Sequence, residues 1–298
     1  MSYVVGIDAG GSRTRALAVD RDGRPLRSHD AAGGNLLASV DAFAHVREAI
    51  GAVTNRAAPD AVALCAAGTE NELTRTRVAA FLAELLPGVR VIVGHDAIAA
   101  LHAATPHGVG VVLISGTGAI AYGRDAEGRE ARASGWGYLA GDEGSGTWLG
   151  LEALRAAARA SDGRGETTAL VAAIPAELKV ADLRAALPQL YGVPHPAPAV
   201  LAAFWALHAV FARDDVAQRI VAAAADELAN AARVVADELA LDEIYLSGGS
   251  FEAMPELEQS TRERLAAVLP RARLGRVTEQ PVRGAARIAA NAAWGSGG

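Results

Sequence analysis

Two stretches decide how this chain reads: residues 4–24, VVGIDAGGSRTRALAVDRDGR, and residues 111–129, VVLISGTGAIAYGRDAEGR. Each opens on an apolar run, meets a turn of small residues, continues with apolar and polar residues alternating, and ends on an Asp-containing Gly-Arg turn. That pattern predicts a strand, a tight turn and an antiparallel strand. The two stretches align without strain, so the chain contains an internal duplication.

Working outward from the first stretch, Phe43, Val46, Ile50 and Val53 have helical spacing over residues 41–53. Residues 61–65 form a strand ending in AAGTEN, 74–86 an amphipathic helix, VRVIV a strand ending at GHD, and 97–104 a helix. After Leu149 the chain is mostly alanine-rich helix, broken by SDGRG and by GVPHPAP. Residues 220–241 form a long amphipathic helix, and EIYLSGGS is a strand meeting a Gly turn. Strands alternating with helices predict an α/β protein with an N-terminal lobe over 1–106 and a C-terminal lobe over 107–298.

The 298 residues, 51% apolar and 21% charged, suffice for a real core. The charge-free run APAVLAAFWALHAVF at 197–211 is too short to span a membrane and reads as a buried helix. The run at 97–123 is broken by Pro106 and by the glycines at 108, 110, 116 and 118. The start MSYVVGIDAGG has no basic region ahead of its apolar residues, so no secretory signal is expected and the protein is expected in the cytoplasm. Cys65, in AVALCAAG, has no second cysteine to pair with and reads as a small buried hydrophobe. The net charge of −6 is interspersed rather than blocked, which argues against nucleic-acid or anionic-membrane partners. Lys179 is the single lysine. A Walker A loop and a protein-kinase strand lysine are therefore both excluded.

Three Gly turns follow buried strands: DAGGS at 8–12, SGTG at 115–118 and SGGS at 247–250. Glycine lets backbone N–H groups approach an anion, and small hydroxyl residues add donors without bulk. Together they read as a phosphate cradle built without lysine. Asp8, directly before the first turn, is placed to hold Mg²⁺ through water, or else to cap the hairpin as an Asx turn. Asp96 ends the strand VRVIVGHD. It is a helix N-cap, a carboxylate placed to accept a hydroxyl proton in phosphoryl transfer, or both.

The order DAGGSRTRA, GGN, an apolar strand ending in GHDA, LISGTGAIAYG, SGWGYLAGDEGSG and YLSGGS resembles the N-acetylglucosamine kinases and the related BadF/BadG/BcrA/BcrD ATPases, of the actin, Hsp70 and sugar-kinase superfamily. The resemblance covers about residues 3–155 and 244–294. It implies a two-lobed actin-like ATPase (ribonuclease H-like) fold, with duplicated β-sheet cores and an interlobe cleft. It also implies ATP and Mg²⁺ as cofactors and transfer of the γ-phosphate to the 6-hydroxyl of an amino sugar, N-acetylglucosamine or glucosamine. ATP and a small-molecule sugar are the expected partners, and the expected assembly is a homodimer.

On this sequence the resemblance puts Gly10, Gly11, Ser12 and Arg13 at a first phosphate loop, Thr117 and Gly118 at a second, and Gly248, Gly249 and Ser250 at the adenosine. Asp96 looks like the catalytic base. Asn35, Trp136, Gly137 and Asp142 would line the sugar. Bland roles stand beside these: Asn35 in a turn, Trp136 as a packed aromatic, Asp142 and Glu143 at a helix N-terminus. Where some acetylglucosamine kinases carry Ser-Asn after SGTG, this chain has Ala119 and Ile120, which removes an amide that could read the sugar's 2-substituent. A BadF-type activator ATPase or regulatory switch is the alternative function. The activator role needs several cluster cysteines, and Cys65 is the only thiol.

Overall fold

The computed structural model describes residues 2–10, 13–33, 36, 41–54, 57–69, 71–191 and 196–295. The chain divides into two compact units, one of Met1–Gly110 with Arg276–Gly298, the other of Val111–Gly275.

The first unit begins with strands β1 (Val4–Ala9), β2 (Arg13–Val19) and β3 (Pro25–Ala32). Helix α1 (Asp41–Val53), strand β4 (Ala61–Ala66), helix α2 (Glu72–Leu85), strand β5 (Arg90–Gly94) and helix α3 (Asp96–Ala104) follow. The sheet order is β3-β2-β1-β4-β5, with β1 antiparallel to β2 and parallel to β4. Apart from Asp8 near its end, β1 is apolar because both of its faces are covered. Val5 and Ile7 join the cluster packed by α1 and α2, while Val4 joins a cluster on the opposite face, as the period-2 alternation of a strand requires.

The second unit repeats this plan. Strands β6 (Gly110–Ser115), β7 (Ala119–Arg124) and β8 (Glu130–Ser134) are followed by helices α4 (Gly146–Ser161), α5 (Leu170–Leu178), α6 (Pro198–Val210) and α7 (Asp215–Leu239). Strand β9 (Glu243–Ser247), helices α8 (Gly249–Ala253) and α9 (Pro255–Val268) and strand β10 (Arg273–Arg276) complete it. The sheet order β8-β7-β6-β9-β10 matches the first sheet strand for strand. The duplication extends to the turns. Asp20 N–H donates to the Arg24 carbonyl (3.1 Å), Gly23 N–H to the Asp20 carbonyl (3.0 Å), and Arg24 N–H to Asp20 Oδ1 (2.9 Å). Asp125, Gly128 and Arg129 form the same three bonds at 3.0, 3.1 and 2.8 Å.

The last helix, α10 (Pro281–Trp294), packs on the first sheet. The sequence assigned residues 107–298 to the second lobe, whereas Arg276–Gly298 group with the first unit. Gly6 is the reason the helix can sit there, since a Cβ on it would lie 2.2 Å from the Ala286 nitrogen. Among the described residues no helix is long and apolar enough to cross a membrane.

Candidate active site

In the first unit the candidate residues Asp8 and Asp96 lie near the carboxyl ends of parallel strands. Asp8 on β1 is in register with Cys65 on β4, and Cys65 with Gly94 on β5. On its other side Asp8 faces Arg15 of β2. Burial pushes the Asp8 carboxyl up to about 6, and the negative charge of Asp96 adds to the effect while Arg15 opposes it. Cys65 is fully buried among apolar groups, and burial drives its thiol far above the ordinary range.

The chain turns closely between β5 and α3. Gly94 ends β5 without a side chain because Ile98 of α3 folds back over it: a Cβ there would come within 2.9 Å of Ile98 Cγ2. The cap position is His95, not Asp96, and the His95 side chain makes no cap hydrogen bond. Asp96 is the first residue of α3, and its Oδ1 accepts from the Ala97 N–H at 2.9 Å. The capping role read from sequence is therefore displaced by one residue. Acidic groups in a first helical turn are favoured by the helix dipole.

The hairpin between β1 and β2 is closed by the Gly10 N–H donating to the Arg13 carbonyl at 2.9 Å. Gly11, Ser12 and Asn35 lie outside the described residues. The Arg13 guanidinium pairs with Asp30 of β3 at 3.4 Å and is more than half exposed. Asp30 also draws Arg15, at 3.6 Å.

In the second unit three segments meet around the SGTG turn. Gly116 N–H donates to the Gly118 carbonyl (2.9 Å), which tightens the turn. The Gly116 carbonyl accepts from Gly146 N–H (2.8 Å) and from the Ser250 hydroxyl (2.9 Å). The Thr147 hydroxyl donates to the Thr117 carbonyl (2.7 Å), and the Ser115 hydroxyl to the Gly144 carbonyl (2.8 Å). Gly248 has φ +111°, and a Cβ on it would lie 2.2 Å from the Ser115 oxygen, so only glycine allows this approach. Hydroxyls and amides from neighbouring segments thus occupy the turn's carbonyls. Ser250, expected at the adenosine, is buried with its hydroxyl committed to the turn.

Asp142 belongs to the same assembly. Its backbone adopts φ +61°, and its carboxylate accepts from the N–H groups of Gly137 and Ala119. Its Oδ2 is 2.8 Å from where a Cβ on Gly118 would be. Burial lifts its carboxyl above the usual range against the pull of those two N–H groups. The N-cap of α4 is Ser145, which accepts from Trp148 N–H at 3.1 Å, and Glu143 and Asp142 lie two and three residues ahead of it. Trp136 is 70% exposed, with the Arg132 guanidinium 5.3 Å from its ring centroid, so it is not a packed core aromatic. Gly137, at φ +83°, opens the turn that follows it.

Reasoning from sequence missed Thr69, Arg15 and Thr147. The only signal for them was proximity to motifs, since their roles come from neighbours distant in the chain.

Two units repeating one five-stranded plan, each with small-residue turns at strand ends, define the duplicated α/β fold of the actin-like ATPases and sugar kinases. Within that class, the chain belongs to the BadF/BadG/BcrA/BcrD ATPase family, whose sequence profile matches residues 5–287. It is 28% identical to the N-acetylmuramic acid/N-acetylglucosamine kinase of Clostridium acetobutylicum over 97% of this chain and 98% of that one. It is also 28% identical to the N-acetyl-D-glucosamine kinase of Dictyostelium discoideum, over 96% and 97%. A solved structure from Chromobacterium violaceum, provisionally assigned as an N-acetylglucosamine kinase, superposes with a TM-score of 0.76 at 25% identity over 96% of this chain and 98% of that one. A ROK family glucokinase from Streptomyces griseus, solved with glucose and AMPPNP, shares the fold at TM-score 0.59 and 16% identity, over 97% and 99%.

Proposed function

We propose that the protein is an ATP-dependent kinase that transfers the γ-phosphoryl group to the 6-hydroxyl of an amino sugar, N-acetylglucosamine or glucosamine. The observation that carries this reading is the carboxylate pair in the first unit. Asp96 at the start of α3 and Asp8 at the end of β1 feel each other's charge, in a chain similar over nearly its whole length to two amino-sugar kinases.

Asp96 is the general base. As the sugar oxygen attacks the γ-phosphorus, the hydroxyl proton passes to the Asp96 carboxylate, the new O–P bond forms, and the bond to the β-phosphate oxygen breaks to release ADP. The Ala97 N–H on Oδ1 orients the carboxylate for that transfer. Gly10, Gly11, Ser12, Arg13, Thr117 and Gly118 serve the phosphates. Gly248 and Gly249 face the adenosine, while Asn35, Trp136, Gly137 and Asp142 contact the sugar.

A magnesium ion suits Asp8. Two mutually repelling carboxylates favour a hard cation, and among the described residues no three His, Cys, Asp or Glu side chains cluster to strip its hydration. Asp8 would hold it through water, where it would neutralise phosphate charge.

The test is ATP consumption by the purified protein with N-acetylglucosamine, glucosamine, N-acetylmannosamine, N-acetylmuramic acid and glucose, with the product's phosphorylated position read by NMR. The expected result is sugar-dependent turnover at the 6-hydroxyl over slow background hydrolysis. Steady hydrolysis indifferent to every sugar would reject the kinase and favour a switch ATPase.

A further inference from the structure

Thr69 is 2% exposed, in the AAGTEN segment just past β4. Its hydroxyl oxygen stands 2.7 Å from the Ala66 carbonyl and 2.8 Å from the Gly94 carbonyl, so one O–H is shared between the last residues of β4 and β5. Ala66 pairs with Ala9, next to Asp8, and Gly94 lies two residues before Asp96. The hydroxyl therefore ties the end of β5, which leads into Asp96, to the end of β4, whose other neighbour in the sheet is β1 with Asp8.

We infer that Thr69 is a positioning residue that fixes Asp96 by tying the carboxyl end of β5 to that of β4. The tie reaches the helix because Ile98 of α3 lies so close over Gly94 that a Cβ on the glycine would come within 2.9 Å of its Cγ2, and Ile98 N–H donates to the His95 carbonyl at 3.2 Å, so a shift of the strand end is passed to the first turn. Without the hydroxyl the Gly94 carbonyl loses this donor, the Ala66 carbonyl keeps the Thr69 N–H at 3.5 Å, and β5 loses a lateral tie at the point where the chain turns into α3. A displacement of about 1 Å in a reacting group can cost on the order of 10²-fold in rate, so a small loosening is enough. This inference rests on the kinase reading for its rate consequence, though not for its structural one.

The experiment compares Thr69→Val, which keeps the β-branched shape without the hydroxyl, with Thr69→Ser, which keeps the hydroxyl. The control is Thr261→Val. Thr261 is equally buried, and its hydroxyl donates to the Leu257 carbonyl at 2.7 Å within α9 of the second unit. Thr69→Val should lower kcat by about 10- to 100-fold while KM for ATP stays within about twofold, and Thr69→Ser should recover most of the loss. Thr261→Val should lose comparable thermal stability yet keep its kcat. A Thr69→Val enzyme within about twofold of the parent, or a Thr261→Val enzyme equally slowed, would overturn the inference. Amide hydrogen exchange at Ala97 and Ile98 is read on the same proteins. It should speed up in Thr69→Val and not in Thr261→Val, and unchanged exchange would overturn the clamp. If the parent phosphorylates no sugar, the kinase reading fails and exchange alone decides the clamp.

Discussion

The Ser250 hydroxyl donates to the Gly116 carbonyl at 2.9 Å across 134 residues of chain, which locks the start of α8 onto the SGTG turn. The same carbonyl accepts from Gly146 N–H, so three segments converge on one oxygen. A serine in a glycine-rich motif suggests a ligand contact, but its atoms are already used to shape the turn.

Ser250→Ala removes one of two donors to that carbonyl. We expect a stability loss of about 1 kcal/mol, the ordinary size for a buried hydrogen bond. KM for ATP should rise several-fold with little change in kcat, because the turn loosens without touching the acceptor hydroxyl. Chemical denaturation and steady-state kinetics check both.

Asp96→Asn separates the helix-initiating role from the proton-accepting one. Asparagine keeps an oxygen for the Ala97 N–H, so the melting temperature should hold near the parent's. It cannot take a proton from the sugar, so kcat should fall by about 10² to 10⁴. ATP affinity, measured by calorimetry, should stay put. A variant that binds ATP and turns over near the parental rate would remove Asp96 from the chemistry.

Asp8 makes folding pH-dependent. Its folded-state value of about 6 exceeds its ordinary 3.8, so the folded protein holds the proton more tightly than the unfolded chain. Stability from this group is full below the unfolded value and declines as pH rises from about 4 to about 6. Asp8→Asn should melt higher than the parent at pH 8 and no higher at pH 4, while losing activity. Melting curves at both pH values, without divalent cation, give the comparison.

Ala119 and Ile120 offer no side-chain hydrogen bond to an acetamide, Ala119 being buried and Ile120 lying against Gly135. Apolar surfaces discriminate by only about 1–3 kcal/mol. Glucosamine should therefore be phosphorylated with kcat/KM within about two orders of magnitude of N-acetylglucosamine, measured side by side. A much larger preference would place the recognition elsewhere in the chain.

Local chemistry explains which parts were legible. The hairpins beginning at Val4 and Val111 announce themselves through buried strands, small-residue turns and Asp-containing Gly-Arg closures, all settled within about twenty residues of chain. Asp8 stands near the end of β1 and Asp96 two residues past β5, strands that the same patterns locate. Strands β3, β8 and β10 escaped notice because they flank their sheets: PLRSHDAA, EARAS and RLGR bury few side chains and carry no apolar alternation.

The sequence by itself therefore determined the duplicated strand-turn-strand core, the α/β class and the two carboxylates, because each depends on periodicity or on a turn residue's own conformational preference. Tertiary structure alone decided that α10 returns to the first sheet, that Ser250 spends its hydroxyl on Gly116, and that Thr69 joins Ala66 to Gly94. Those outcomes depend on which buried donors meet which acceptors across long separations, and on whether a backbone can approach where a glycine leaves room. Such pairings follow from the packed fold and leave no period in the chain.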